Sequence, residues 1–595
     1  METSPLPHRI RVEWVVALTI LVAYICWILS LPSFPSFDGP VHMYYVHVLK
    51  ALIGDSNPEY AYYFRIRHIL PPYSLYYYGL LALSQIMPML LADRIIICIY
   101  LVSFVFGFRY LASAIGPSAD LMTLLATLLL LNWPLGMGFV NFCLSLSIAF
   151  WAIGLWLRVA GTPKRGARIG FLVLATMTML THPVPLILLL VVSGTISIMR
   201  FVHKPGGEKE RHVPSNLIAD VLTLSLASLN VVYVKLFTNA NPFQQVVLPG
   251  DEVTPYWTDA LHRMGIYGRE HALAFVLGTT PDILVYRAAL LTILVLAIIM
   301  GIRQRHRNKV AGLWTNGDSF LALGAVIAVA LPFIPSQLNG LYYFADRLVI
   351  CVWLAFLLAA SGCSASFGDN VLQPPLGERV NHNRMNLKGH LSVPRRAATL
   401  VPVICTILAN VALLSSANRM LRPAAKKISA LDNVTLAPRG QVGFLLEDPR
   451  EGQGNTHETL SWNPYHWALI HLFRNNDAVM ANAPWMDESI IPIAPSKTLP
   501  EVSILPLREP LLIRLQKDLL QSPVDLNRAL GAATFFAVND FGLPRLQGNE
   551  PLLQRDRSRG DGWSCSVLEW YRICRRPIVA KLADGNKALS STVPR

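Results

Sequence analysis

The chain has 595 residues, 53% of them hydrophobic and only 15% charged, a balance too apolar for an ordinary soluble protein of this length. Its net charge of +14 is spread over short basic clusters beside apolar runs rather than one basic stripe, so nucleic acid is not the expected partner. A spanning helix needs ~20 mainly apolar residues, and twelve runs near that length recur between residues 14 and 416. The expected fold class is a polytopic α-helical membrane protein.

The first run, Trp14 to Leu31, follows His8, Arg9 and Arg11, which predicts a cytoplasmic N-terminus. No small-residue cleavage site follows it, so it reads as a retained helix with Trp14 and Trp27 as interface anchors. A first outward loop, 32–70, comes next. Within it Asp38-Gly-Pro-Val-His42 sets a carboxylate and an imidazole four residues apart, on one face if the segment is helical from Gly39. Asp38 also suits a helix N-cap, with Pro40 in the first turn, and that is the structural alternative to catalysis. Met43 to Ile53 reads as an amphipathic helix in the interface. Arg65, Arg67 and His68 lead on to Pro71-Pro72-Tyr73 and a belt, Tyr76 to Tyr78, expected as interfacial anchors. The arginines suit lipid headgroups singly and a phosphate together.

The remaining runs lie near 71–91, 95–115, 119–135, 139–157, 169–181, 186–199, 217–237, 283–302, 319–334, 347–361 and 399–416. Basic clusters at Arg158 to Arg168, Arg200 to Arg211, Arg303 to Lys309 and Arg395-Arg396 mark cytoplasmic turns. They leave 239–281 as a second large outward loop, 335–346 as a further one and 362–398 as a cytoplasmic loop. If every early run spanned, Arg158 to Arg168 would fall outside. One run between 71 and 135 is therefore expected not to span, giving eleven crossings and an outward C-terminus. Residues 1–416 form the membrane module on this reading. Residues 417–595 have soluble composition and short alternating segments such as Gln441 to Leu446 and Ala533 to Asn539, which predict an extracytoplasmic α/β domain. Cys565 and Cys574 lie in it at a spacing that suits a disulfide in an oxidising compartment.

Leu180-Thr-His182-Pro183 breaks an apolar stretch that is basic at both ends, so two helices are expected to meet there with His182 at the outward tip. His182 is either a satisfied histidine or a functional one, because ionisable groups at membrane edges are costly. Asp346-Arg347 begins another helix from outside, where an arginine runs against the charge rule. It either pairs locally with Asp346 or binds an anion. In the C-terminal part, His457, His466 and His471 lack zinc-site spacing, and no phosphate-binding glycine motif occurs anywhere in the chain.

An acidic residue just after helix one, a juxtamembrane helix, Pro71-Pro72-x-x-x-Tyr76 and an Ala92-x-Arg94 helix start together resemble the GT-C glycosyltransferases, over roughly residues 10–240. The resemblance implies transfer of a sugar from a polyprenyl-phosphate-linked donor to a glycan, lipid or protein acceptor at the outer face of the inner (plasma) membrane. It implies catalytic Asp38, His42 and His182, donor-phosphate binding by Arg65, Arg67 and Arg347, and a substrate cavity that includes Asn141 and Asp346. Many family members carry a second outward acid where this chain has Asn141, at the end of Asn132-Trp-Pro-Leu-Gly-Met-Gly-Phe-Val-Asn141. That departure weakens a divalent-metal site and favours a metal-independent reaction. A lipid or polysaccharide transporter or flippase, which would show inverted repeats and midplane charges, and a non-catalytic assembly factor are the alternatives.

Overall fold

The computed structural model describes residues 11–56, 60–61, 64–66, 70–160, 162, 164–202, 213–237, 281–310, 314–334, 344–362, 395–430, 442–446, 474, 479–480, 493–495, 535–539, 564–568 and 571–575. Helices dominate the described residues up to 430, and short strands follow.

Helix α1 (Val12–Ser30) leads through an irregular stretch to α2 (Gly39–Ile53), and a short strand β1 (Phe64–Ile66) precedes α3 (Ser74–Ser84). Next come α4 (Met89–Ser113), α5 (Ala119–Ala126), the one-turn α6 (Trp133–Gly136) and α7 (Val140–Val159). Then follow α8 (Arg165–Thr181), α9 (Pro183–Val202), α10 (Val213–Phe237), α11 (Pro281–Val310), α12 (Asn316–Ala330), α13 (Phe344–Ser361) and α14 (Arg395–Ala430). Among the described residues seven helical segments are long and apolar enough to cross a membrane: 12–30, 89–113, 119–136, 140–159, 284–306, 316–333 and 400–426. The run at 71–91 does not make one. It folds as α3, whose 11 residues rise only ~16 Å against a hydrocarbon core of ~30 Å.

The helix ends sort into two groups. At the basic end, Arg11 donates to the Pro117 carbonyl at 2.7 Å and Arg109 pairs with Asp120 at 2.8 Å. Arg158 reaches the Tyr110 carbonyl at 2.8 Å, and Arg305 lies 3.8 Å from Asp318. The amide of Ser118 donates to Ser361 at the close of α13. At the opposite end, Arg94 donates to the Leu29 and Leu31 carbonyls, closing the C-terminus of α1. There too Arg422 of α14 reaches the Ser30 hydroxyl at 2.9 Å, and Tyr233 of α10 reaches the Leu70 carbonyl at 3.2 Å.

Helix α13 is the axis of the bundle: every residue from Ala345 to Ser361 is buried. Helix α5 is broken, passing through a 3-10 turn at Thr127–Leu129 before α6. Backbone groups freed at this depth find no water and need protein partners. The Leu128 carbonyl accepts the Tyr286 hydroxyl at 2.7 Å, Leu129 accepts the Asn132 amide at 3.1 Å, and Leu130 accepts the Tyr100 hydroxyl at 3.0 Å. Asn132 also caps α6, its side-chain oxygen accepting the Leu135 amide at 3.0 Å.

In the C-terminal part, β2 (Val442–Leu446), β3 (Val479–Met480), β5 (Phe535–Asn539), β6 (Ser564–Leu568) and β7 (Tyr571–Arg575) form one sheet in the order β3-β2-β5-β7-β6. Strand β2 runs parallel to β3 and β5, while β7 runs antiparallel to β5 and β6. Strand β4 (Ile493–Pro495) pairs antiparallel with β1, so the segment after α2 and the C-terminal part share a two-stranded ladder.

One buried ion pair, Arg168 to Asp220 at 2.5 Å, joins α8 to α10, with Thr223 accepting from Arg168 at 3.1 Å. Removing one partner of such a pair strands a buried charge and costs about 3–5 kcal/mol. Asp220→Ala is expected to lower the thermal unfolding midpoint in detergent, and Arg168→Met with Asp220→Leu to recover most of the loss. A single variant that melts with the wild type would show that the pair is not a staple.

Candidate active site

Two chain segments at the end opposite the basic clusters are drawn together by their backbones. The amides of Phe37 and Asp38 donate to the carbonyls of Gly136 at 3.1 Å and Met137 at 3.0 Å. Gly138, at φ +85°, lets this approach happen: a Cβ there would lie 2.7 Å from the Asp38 nitrogen and 2.8 Å from that of Gly39. Asp38 thereby stands at the start of α2 with its carbonyl accepting the Val41 and His42 amides. Its side chain makes no cap hydrogen bond, so capping is not what the carboxylate does.

His42, on the first turn of α2, is buried and pairs its Nδ1 with the Tyr77 hydroxyl at 2.8 Å. Tyr76 and Tyr77 of α3 both pack edge-on against its ring. The tyrosine belt expected at the interface is thus turned inward at these two positions, and only Tyr78 keeps partial exposure. Burial, with the Arg347 cation adding to it, pushes His42 down to about 3. Its imidazole is neutral at physiological pH.

His182 forms the break between α8 and α9, as the sequence predicts. Its ring stacks on Tyr73 with centroids 4.9 Å apart and meets Phe142 edge-on at 5.5 Å. Nε2 lies 3.0 Å from the Tyr73 hydroxyl and 2.6 Å from an Arg347 nitrogen. Guanidinium can only donate, and the Val184 amide donates to Nδ1 at 3.2 Å, so both ring nitrogens of His182 face N–H donors. Burial and the Arg347 cation hold His182 well below the usual histidine range, so its ring is neutral.

Arg347, in the first turn of α13, is only 5% exposed. Its guanidinium carbon sits 3.8 Å over the Phe139 ring, next to the glycine that cradles Asp38. Among the described residues Arg347 has no ion pair, so the local partnership with Asp346 offered by the sequence is not the one found; Asp346 is itself buried beside it. Burying a charge costs several kcal/mol even after relaxation. A charge-assisted hydrogen bond returns about 1.5–3 and a cation–π contact about 0.5–2.

The structure therefore brings Asp38, His42, His182, Asp346 and Arg347 to one end of the bundle, with Asp38 and Arg347 linked through Gly138 and Phe139. It does not bring Arg65 there: that residue is exposed on β1. Arg67 lies outside the described residues. Asn141 is buried at the start of α7 with its side-chain oxygen turned back onto the Phe142 amide at 2.8 Å. Among the described residues no three His, Cys, Asp or Glu side chains gather as metal ligands, and position 141 carries an amide in place of a carboxylate. Cys565 and Cys574 stand opposite each other in the register of β6 and β7.

Sequence reasoning missed Tyr73, Tyr77, Gly138 and Phe139 as site components. The signals were the Pro-Pro step before Tyr73 and the Gly-Met-Gly of residues 136–138.

No family model matches the chain, and no curated protein sequence matches it. Among solved structures, ArnT from Cupriavidus metallidurans in the apo state aligns over 95% of this chain and 98% of that one, at 12% identity and a TM-score of 0.47. The arabinofuranosyltransferase AftD from Mycobacteria aligns over 96% of this chain but 40% of its own length, at 13% identity and a TM-score of 0.44. At these identities and TM-scores the likeness carries no argument about fold or chemistry.

The histidine burial has a measurable consequence. Above pH 6.5 an imidazole is neutral in both states and contributes nothing. As pH falls from about 6.5 toward 3, the unfolded chain takes up a proton that folded His42 refuses, so stability falls through that window. His42→Asn, which keeps a partner for Tyr77, is expected to flatten the decline in melting temperature between pH 7 and 4. An unchanged decline would mean that His42 is not held neutral.

Proposed function

We propose that the chain is a membrane glycosyltransferase that moves a sugar from a polyprenyl-phosphate donor to an acceptor at the outer face of the membrane. The observation that carries this is Arg347, a buried guanidinium with no ion pair among the described residues, held on a neutral histidine beside the Asp38 loop. That arrangement suits a phosphate. The two groups of helix ends support the orientation: the end rich in Arg11, Arg109, Arg158 and Arg305 faces the cytoplasm by the charge rule, which puts Asp38, His182 and Arg347 outside. Helix ends that alternate between the two groups, with α3 too short to span, suit eleven crossings.

In the proposed reaction the donor phosphate engages Arg347, and the sugar lies between it and Asp38. Asp38 takes the proton from an acceptor hydroxyl or amine. The acceptor atom bonds to the anomeric carbon from the face opposite the phosphate, the carbon–oxygen bond to phosphate breaks, and polyprenyl phosphate leaves with the electron pair. Arg347 stabilises that leaving charge. His42 and His182, both neutral, position neighbouring groups and keep a second cation away from Arg347. No step passes through a metal. In the C-terminal part, directly opposed antiparallel residues lie ~4.5–5.5 Å apart at Cα, inside the disulfide range, which supports a Cys565–Cys574 bridge in the outward compartment.

The test is release of prenyl phosphate from a panel of prenyl-phosphate sugars by protein in lipid nanodiscs. Asp38→Asn is expected to cut turnover by about 10²–10⁴ and Arg347→Gln by about 10²–10³, each with a wild-type melting temperature. Full turnover by a folded Asp38→Asn variant would remove Asp38 from the chemistry.

A further inference from the structure

The end of the bundle that holds His42 also contains two buried polar groups that the proposed reaction does not use. Asp93, near the start of α4, is 2% exposed, and Tyr76 of α3 is 1% exposed. Neither Oδ1 of Asp93 nor the Tyr76 hydroxyl has a hydrogen-bond partner among the described residues. The carboxylate is near enough for its charge to act on the phenol, and the Tyr76 ring packs edge-on against His42 with centroids 5.5 Å apart. His42 in turn lies within reach of the Arg347 charge. Buried polar groups thus lead from Arg347 by way of His42 to Tyr76 and Asp93.

Two cations stand near Asp93, and neither closes on it. The charges of Arg94 and of Arg474, from the C-terminal part, both act on the carboxylate, yet Asp93 forms no ion pair among the described residues. Arg94 turns to the Leu29, Leu31 and Leu90 carbonyls, and the buried Arg474 reaches Sδ of Met43 at 3.7 Å. A buried polar atom left unsatisfied is destabilising, and native structures keep few of them. The surroundings also select what can satisfy this pair. An ammonium ligand would meet two guanidinium charges, and an anion would meet the carboxylate. Neutral hydroxyls meet neither repulsion: they donate to a carboxylate, and they exchange hydrogen bonds in either direction with a phenol. We propose that Asp93 and Tyr76 form a hydroxyl-recognition subsite for the sugar of the donor, selecting the sugar whose phosphate is seated at Arg347. The inference rests on the glycosyltransferase reading of the chain. It gives Asp93 and Tyr76 no bond-making; they hold the sugar by its hydroxyls.

Binding to the full chain in nanodiscs is measured calorimetrically for farnesyl phosphate and for a panel of farnesyl phosphoryl pentoses and hexoses, with melting temperatures alongside. Wild type is expected to bind at least one glycosylated compound more tightly than farnesyl phosphate. Asp93→Asn is expected to weaken that compound about 10-fold and Tyr76→Phe several-fold, while both variants keep the wild-type Kd for farnesyl phosphate. Asp93→Leu separates recognition from structure: removing a buried carboxylate that lacks a partner should leave the melting temperature unchanged or raised, and the preference for the glycosylated compound should vanish. A marked fall in its melting temperature would show that the carboxylate serves the fold, and would overturn the inference. Variants that keep the sugar preference overturn it, as does an equal loss for glycosylated and bare farnesyl phosphate. Unchanged donor binding with a raised KM for the acceptor would place the subsite on the acceptor and overturn it as well. Wild-type protein that binds farnesyl phosphate without preferring any glycosylated compound overturns this inference and leaves the Arg347 seat standing. Wild-type protein that binds none of the compounds overturns the phosphate reading too.

Discussion

A positive charge buried without an ion pair among the described residues is the constraint around which this end of the molecule is arranged. Arg347 begins a helix that is enclosed along its whole length, so its guanidinium cannot escape to water by extending its side chain as a membrane-edge arginine usually does. Groups that face it tolerate it: the face of Phe139, the ring of a neutral His182, and a second histidine that burial keeps uncharged. A protonated imidazole at either position would set two cations against each other. The neutrality of the histidines is thus a structural requirement of the arginine.

The scaffold that holds this charge follows from the membrane's demand that backbone groups be satisfied within the protein. Where α5 breaks, three carbonyls are taken up by Tyr286, Asn132 and Tyr100, and the chain can then fold through α6 into the Gly138 turn. That turn accepts the loop after α1, which sets Asp38 at the head of α2. The α8–α9 break supplies His182, and Ser145 of α7 fixes it by donating to the Thr178 carbonyl at 2.9 Å and the His182 carbonyl at 3.0 Å. Irregular backbone at depth therefore occurs where it builds the site.

Much of the site was legible in the sequence because its chemistry is expensive. An aspartate after the first helix, a histidine in the middle of an apolar stretch and an arginine on the wrong side of the charge rule each stand out against the base composition, and the structure brings Asp38, His182 and Arg347 to one end. The accessory groups were harder to see. Tyr73 and Tyr77 sit in a tyrosine cluster whose ordinary use is interfacial, and only the positive φ of Tyr73 and the short turn of α3 reveal that they face inward. Gly138 is one of many glycines; its function depends on a backbone it touches 100 residues away in sequence. Arg65 shows the converse: a basic residue in the right loop whose strand carries it away to pair with β4. The run at 71–91 had spanning composition but not spanning length, since residues 85–88 interrupt it ahead of α4.

The central claim is that the Arg347 guanidinium is the seat of the lipid phosphate. An experimental structure of the protein in nanodiscs with a bound prenyl phosphate addresses it without reference to turnover. The account predicts phosphate density within hydrogen-bonding distance of the Arg347 guanidinium, on the side of the Asp38 loop, with the prenyl chain running away from it between the helices. Phosphate bound instead at Arg65 or Arg94, with Arg347 still seated on His182, would contradict it.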